Sequence, residues 1–335
     1  MPSRADSQVL AALSAIEAED ASLPEKVEML MEMAMGLQTR PKSPDQLQQA
    51  ILLYEKALEL CPAEFYLLRG RIHARLATAL QAIPGDDLDS LKQARKNLEA
   101  AQLILKLEGS PEEIAEIEMN LGLTLQNLAA FNAAPITAAI SAYQRALRTF
   151  NAKSWPKEFA ILQNNLATAF LSIPFSDERG KMREALAVQA FQEALKHINI
   201  IDHPTEYAML QNNLGNALQY ASSSHAVENN LRALEAYDEA LKVRTRAATP
   251  GEYANTIANY ANCLSNLPDD PERPEDGNPG NLMRALAKYR EASAIFMEAG
   301  ENQKAEAIAG VVAAIEAELE ALPRPNGDAR QAAVR

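Results

Sequence analysis

Two stretches of the chain make the same unusual choice. LQNNLATAF (Leu162–Phe170) and LQNNLGNAL (Leu210–Leu218) each set two adjacent asparagines inside helix-forming sequence. Asparagine is a poor helix former because its short amide competes for nearby backbone groups. What it supplies is hydrogen-bonding chemistry, with two donors and an acceptor on one planar group. A row of such amides can pair with the main chain of an extended peptide, whatever its side chains. Asparagines that recur in comparable positions are Asn120, Asn164, Asn165, Asn212, Asn213, Asn216, Asn255, Asn259 and Asn262. Arg71 and Arg75 add a second recognition chemistry, since a guanidinium fork suits a carboxylate.

The other reactive residue types form no comparable pattern. His73, His197, His203 and His225 occur without HxxxH or HExxH spacing, so no metal site is expected. Cys61 and Cys263 lie far apart without CxxC spacing and read as buried thiols of a reducing compartment. There is no phosphate-cradling glycine loop, no GxSxG and no nucleotide fingerprint, so no cofactor is expected. The pair Glu112–Glu113 reads as helix N-terminal charge favoured by the macrodipole. Asp269, Asp270, Glu272, Glu275 and Asp276 lack the spacing of a calcium loop and read as a solvated acidic loop. A non-catalytic protein is expected.

Bulk properties narrow the class further. The net charge of −13 argues against a nucleic-acid binder, which needs a basic face. No stretch approaches eighteen uninterrupted apolar residues, so no membrane span is expected. The first twenty residues lack the apolar core of a secretory signal, which makes a cytoplasmic protein the expectation. Aromatics are only 5% of a chain that is 47% hydrophobic, and runs of alternating β-branched residues are absent. Such a composition is all-helical.

The elements that must position the asparagines recur with a fixed period. A helix ends in an apolar residue at Leu37, Leu80, Leu125, Phe170, Leu218 and Leu264, in steps of 43, 45, 45, 48 and 46. A bulky residue follows inside the next helix at Tyr54, Leu98, Tyr143, Phe191, Tyr237 and Tyr289, with nearly the same period. Two markers sharing one period indicate a tandem array. Six helix pairs are predicted, at about 24–60, 63–107, 111–150, 156–199, 204–245 and 250–299. In the fifth, Tyr207, Leu210, Leu214, Leu218 and Ala221 form one apolar stripe at 3-4-4-3 spacing. Flanking helices are expected at 6–19 and 302–322, the latter with Ala305, Ile308, Val312, Ile315 and Leu319 inward as a solvating cap. The tail 323–335 has no apolar period and is expected to be disordered, leaving one domain over 1–322.

The order Leu214–Gly215, Leu218, Ala233, Tyr237, Ala240 and a proline before the next unit resembles the tetratricopeptide repeat (TPR). The resemblance covers about residues 24 to 300, with a longer inter-helix loop and second helix than the common 34-residue form. It is similar to long repeats of bacterial signalling-associated arrays, and the NNLA element to kinesin light-chain repeats. The resemblance implies an all-α, right-handed α-solenoid of about six helix hairpins with capping helices. It also implies that first helices line a concave groove, where asparagine ladders of other members grip extended peptides. The family's lysine clamp for a free C-terminal carboxylate is not matched, because Asn164, Asn212 and Met119 stand where lysines belong.

On a helical wheel, Asn212 and Asn216 fall about 160° from Leu214 and Asn213 about 100° away, off the core stripe. Nine helical asparagines at about 0.5 kcal/mol each are a repeated cost that indicates a purpose. Two purposes remain open: holding another chain's backbone, or tying neighbouring repeats together. Arg71 and Arg75 likewise could read an acidic ligand, or pair with Glu28, Glu32 or Glu116 across repeats. The expected function is an adaptor or assembly factor that binds an extended segment of a partner protein in its groove. The alternatives are a self-assembling scaffold (a homo-oligomer joined through terminal helices) and a sensor partner of a separate signalling effector.

Overall fold

A computed structural model describes residues 13, 14, 16, 18–39, 41, 43–83, 87–173, 178–221 and 225–321. Among them are thirteen α-helices and no strand. The chain divides into two compact units, residues 1–174 and 175–335.

The first unit contains α1 (Leu23–Thr39), α2 (Pro44–Leu60), α3 (Tyr66–Gln81), α4 (Leu88–Glu108), α5 (Pro111–Ala130), α6 (Ile136–Ala146) and α7 (Pro156–Leu171). Helices α1/α2, α3/α4 and α5/α6 pack as consecutive hairpins, in agreement with the first three predicted pairs. Each second helix also packs on the first helix of the following hairpin. In addition α1 touches α3, α3 touches α5 and α5 touches α7, so first helices stand side by side along one face of the unit. The second unit contains α8 (Glu178–Leu195), α9 (Pro204–Gln219), α10 (Ala226–Leu241), α11 (Pro250–Ser265), α12 (Pro279–Glu298) and α13 (Asn302–Ala321). Here α9/α10 and α11/α12 are the hairpins, with α9 touching α11. The fourth predicted pair, 156–199, is shared between the units, its first helix in one and its second in the other.

Local chemistry explains the helix starts. Prolines 111, 156, 204 and 250 open α5, α7, α9 and α11, where their missing N–H costs nothing. At α5, Ser110 and Glu113 form a reciprocal capping box. Before α7, Trp155 lies edge-on to Phe150 at 5.5 Å between centroids. Small and large residues recur in register across the hairpins. Ala34, Ala77, Gly122, Gly215 and Ala261 sit in first helices, and Tyr54, Leu98, Tyr143, Tyr237 and Tyr289 at matching places in second helices. A Cβ on Gly215 would stand 2.5 Å from the Tyr237 ring, so the close approach of α9 and α10 requires glycine.

At the ends, α13 buries Ala305, Ile308 and Ile315 as predicted for a cap, while Val312 and Leu319 are half-buried. Of the expected N-terminal helix, Leu13, Ser14, Ile16 and Ala18 are helical and Ile16 is buried. Its Val9 and Leu10, and the tail 323–335, lie outside the described residues. The loop 268–281 is built around Asp269, whose carboxylate accepts the backbone N–H groups of Gly280 and Asn281 at 2.7 Å each. Arg273 pairs with Asp270 and Asp276 in the same loop. Its acids are thus partly consumed in capping α12 and in local ion pairs.

Candidate functional site

The side-by-side first helices of the first unit open a cavity of about 450 Å³. Its walls come from three consecutive hairpins: Met31 and Met35 on α1, Leu68 and Arg71 on α3, and Glu116 and Asn120 on α5. Glu28, Glu32, Arg75 and Glu113 add charge around the apolar floor. Arg71 Nε donates to Glu113 Oε1 at 2.7 Å, and Arg75 Nη1 stands 3.8 Å from Glu116. Both arginines therefore meet carboxylates of the following hairpin. The pairing with Glu116 is one that the sequence reading weighed, and the pairing with Glu113 is not. The Arg71 guanidinium, aided by the Ser110 backbone N–H, holds the Glu113 carboxyl below the usual carboxylate range.

The asparagines occupy several different environments. In α7, Asn164 is only 7% exposed and its Nδ2 donates to Asn165 Oδ1 at 3.1 Å. In α9, Asn212 repeats this, 7% exposed and donating to Asn213 Oδ1 at 3.1 Å. Asn212 Oδ1 also accepts from Asn259 Nδ2 on α11 at 3.4 Å. A first helix is covered on two sides, by its hairpin partner and by neighbouring hairpins, so a residue off the apolar stripe can still be buried. An amide fits that seam because its donors and acceptor find partners there. Asn216 accepts from the Tyr237 hydroxyl at 2.7 Å, and Asn262 donates to the Tyr220 hydroxyl at 2.6 Å. Asn120 lines the cavity, and its carbonyl accepts from Gln81 Nε2 at 2.9 Å. Asn255 is exposed on α11. The structure thus brings Asn212, Asn213 and Asn259 together in the second unit, and places Asn120 with Arg71 and Arg75 in the first.

A different ladder joins the hairpins of the first unit, one the sequence reading did not single out. Gln38 Nε2 donates to Thr78 Oγ1 at 3.0 Å, Gln81 Nε2 to Thr124 Oγ1, and Gln126 Nε2 to Thr168 Oγ1 at 3.2 Å. Two of these glutamines also receive the tyrosine of their own hairpin. Tyr54 donates to Gln38 Oε1 at 3.0 Å and Tyr143 to Gln126 Oε1 at 2.9 Å. Each threonine hydroxyl in turn donates to a carbonyl of its own helix. The signal was present in the repeat register: Gln38, Gln81, Gln126 and Gln219 each stand four residues after Ala34, Ala77, Gly122 or Gly215.

The remaining reactive groups are tied into packing. Cys263 is fully buried, its Sγ against the Asn230 carbonyl at 3.2 Å, and burial pushes its thiol up to about 12. Cys61 is buried and free, and its thiol is likewise raised by burial. Glu118 is buried at 3% exposure, between Arg145 Nη2 at 2.7 Å and Gln102 Nε2 at 2.8 Å. His73 contacts Asn97 and His197 contacts Glu193. Among the described residues, no three His, Cys, Asp or Glu side chains are grouped to hold a metal ion, and no helix is long and apolar enough to cross a membrane.

No protein-family model matches the chain, and no curated protein matches it. Among solved structures, it is similar to a TPR2AB-domain:pHSP90 complex of yeast Sti1, at 15% identity and a TM-score of 0.29, over 88% of this chain and 99% of that one. It is also similar to a circular tandem repeat protein with novel repeat topology and enhanced subunit contact surfaces. There the identity is 16% and the TM-score 0.23, over 93% of this chain and 69% of that one. Consecutive packed helix pairs, repeated at a period near 45, make this chain a repeated helix-hairpin array.

Proposed function

We propose that the protein is a non-catalytic adaptor or assembly factor that holds an extended segment of a partner protein against its first helices. The observation that carries this reading is the cavity on α1, α3 and α5. Three consecutive hairpins contribute to one concavity of about 450 Å³, within the range of about 300–1,000 Å³ that accommodates ligands. Methionines on its wall are adaptable, which suits a surface that accepts side chains of varied shape. In this reading Arg71, Arg75 and Asn120 contact the segment in the first unit. Asn165 on α7 extends the set, and Asn213, Asn216, Asn255, Asn259 and Asn262, beside the buried Asn212, serve the second unit. Asn164, also buried, orients Asn165.

Selection of binders from a displayed library of random extended peptides tests the proposal. Enriched peptides should bind the purified protein and lose binding when Ala74→Trp fills the cavity. Ala74 is half-buried, so Met35→Ala, at a position 46% exposed, is the companion variant that trims the wall without touching the core. Failure to enrich any peptide, or binding unchanged in both variants, would overturn the proposal.

A further inference from the structure

The charges around the cavity specify what kind of side chain would enter it. Four carboxylates, Glu28, Glu32, Glu113 and Glu116, stand against two guanidiniums, Arg71 and Arg75. Both guanidiniums are already engaged, by Glu113 and Glu116. What remains uncompensated is negative: neither Glu28 nor Glu32 has an ion-pair partner among the described residues. The two glutamates are four residues apart on α1, which places them on one face, and both are exposed. Met31, Met35 and Leu68 line the same cavity and carry no charge.

We infer that the cavity takes a basic side chain, a lysine or arginine, from the partner segment. The inference rests on the peptide-binding reading above and assigns its ligand chemistry. An aliphatic stem would lie along the methionines while its cationic head reaches Glu28 and Glu32, the usual way long basic side chains divide between apolar and polar surroundings. An arginine could bridge both carboxylates through its planar fork. An acidic side chain is disfavoured in the same place. It would have to share Arg71 with Glu113 or Arg75 with Glu116 while approaching two unpaired carboxylates. The net charge of −13 acts in the same direction by drawing basic segments toward the protein at long range.

The test uses the full-length protein and the displayed peptide library, read by the ratio of Lys and Arg to Asp and Glu in the enriched peptides. Basic residues should be enriched by at least about tenfold over acidic ones, and high salt should weaken the selected peptides. In Glu28→Lys/Glu32→Lys, two exposed changes that leave the core untouched, the preference should invert. Circular dichroism confirms that the variant is folded. Peptides that bind in the cavity, lost in Ala74→Trp, but carry acidic or uncharged residues would overturn the inference and leave the peptide-binding reading standing. A basic preference unchanged in the double variant would also overturn it. A library that yields no binder at all removes both.

Discussion

The side-chain amide of Gln38 donates to the hydroxyl of Thr78, one hairpin further along, at 3.0 Å. That single contact is the first rung of a ladder continued by Gln81–Thr124 and Gln126–Thr168. Each glutamine that also receives a tyrosine hydroxyl fixes two interfaces at once: its own hairpin through the tyrosine, and the next hairpin through the threonine. Repeat arrays derive stability from intrinsic repeat terms plus nearest-neighbour terms. The ladder belongs to the second kind.

Replacing Gln126 by leucine should therefore cost more than loss of one hydrogen bond. The change strands the Tyr143 hydroxyl and withdraws the donor to Thr168, in a partly buried seam. A loss of about 1–3 kcal/mol is expected from leaving buried polar groups unpaired. Urea unfolding measures it, with Thr168→Val as the partner change for a double-mutant cycle. Coupling near zero between positions 126 and 168 would show that the rung carries no energy.

The contact between Gly215 and Tyr237 predicts a steric effect. Gly215→Ala would place a methyl 2.5 Å from the tyrosine ring, which forces α9 and α10 apart or the ring off its rotamer. Overpacking of this kind costs about 1–3 kcal/mol, against a gain of about 1 kcal/mol in helix propensity. The second hairpin supplies the remedy, since it carries Ala77 and Leu98 at the matching positions. Gly215→Ala/Tyr237→Leu should recover part of the loss in thermal unfolding. A single Gly215→Ala variant as stable as wild type would contradict the close approach.

Why the asparagines were harder to place than the hairpins follows from the same geometry. Helix identity and pairing were legible because Leu210, Leu214 and Leu218 form a stripe, and because a small residue such as Gly215 and a bulky one such as Tyr237 recur in the same register. One stripe identifies one buried side. It does not reveal the second seam, where α9 meets α11 and where Asn212 is buried at 7% exposure about 160° from Leu214. A wheel drawn for an isolated helix therefore puts Asn212 on the open face. The glutamine ladder escaped notice for the opposite reason. Glutamine is an ordinary helix residue, and nothing about a single Gln38 or Gln126 draws attention until the repeats are superposed.

The two thiols should be inert in the native protein. Cys263 is fully buried with its thiol pushed up to about 12, and Cys61 is 3% exposed with its thiol raised by burial. The thiolate is the reactive form, so both groups are short of it as well as inaccessible. A chromogenic disulfide reagent at mildly alkaline pH should register neither thiol in native protein and both in denaturant. Rapid reaction of a thiol in folded protein would refute the burial.

The Arg71–Glu113 pair predicts a small acid sensitivity. The Glu113 carboxyl is held below its ordinary value of 4.5, mainly by Arg71 and next by the Ser110 N–H. Its contribution is therefore fully present above the unfolded value and is lost as pH falls through the lower folded one. Arg71 is half exposed, with a side chain 53% accessible, so solvent screening limits the pair to about 1 kcal/mol or less. Arg71→Ala should lower stability near neutral pH by that amount and flatten the acid limb of urea midpoint against pH. A limb as steep as in wild type would assign the acid sensitivity to other carboxylates.

Asn212 and Asn255 separate the two uses of asparagine. Asn212 sits in the α9–α11 seam, giving a hydrogen bond to Asn213 and taking one from Asn259. Alanine there leaves both partners short and should destabilise the fold by about 1–2 kcal/mol. Asn255 is exposed on α11, so alanine should be neutral or stabilising by about 0.5 kcal/mol through helix propensity. If Asn255 also touches a bound peptide, Asn255→Ala should weaken the selected peptides without lowering the melting temperature, whereas Asn212→Ala should lower both. Equal thermal effects at the two positions would mean that the amide at 212 is not a structural tie. Unchanged peptide binding in Asn255→Ala would remove that residue from the proposed surface.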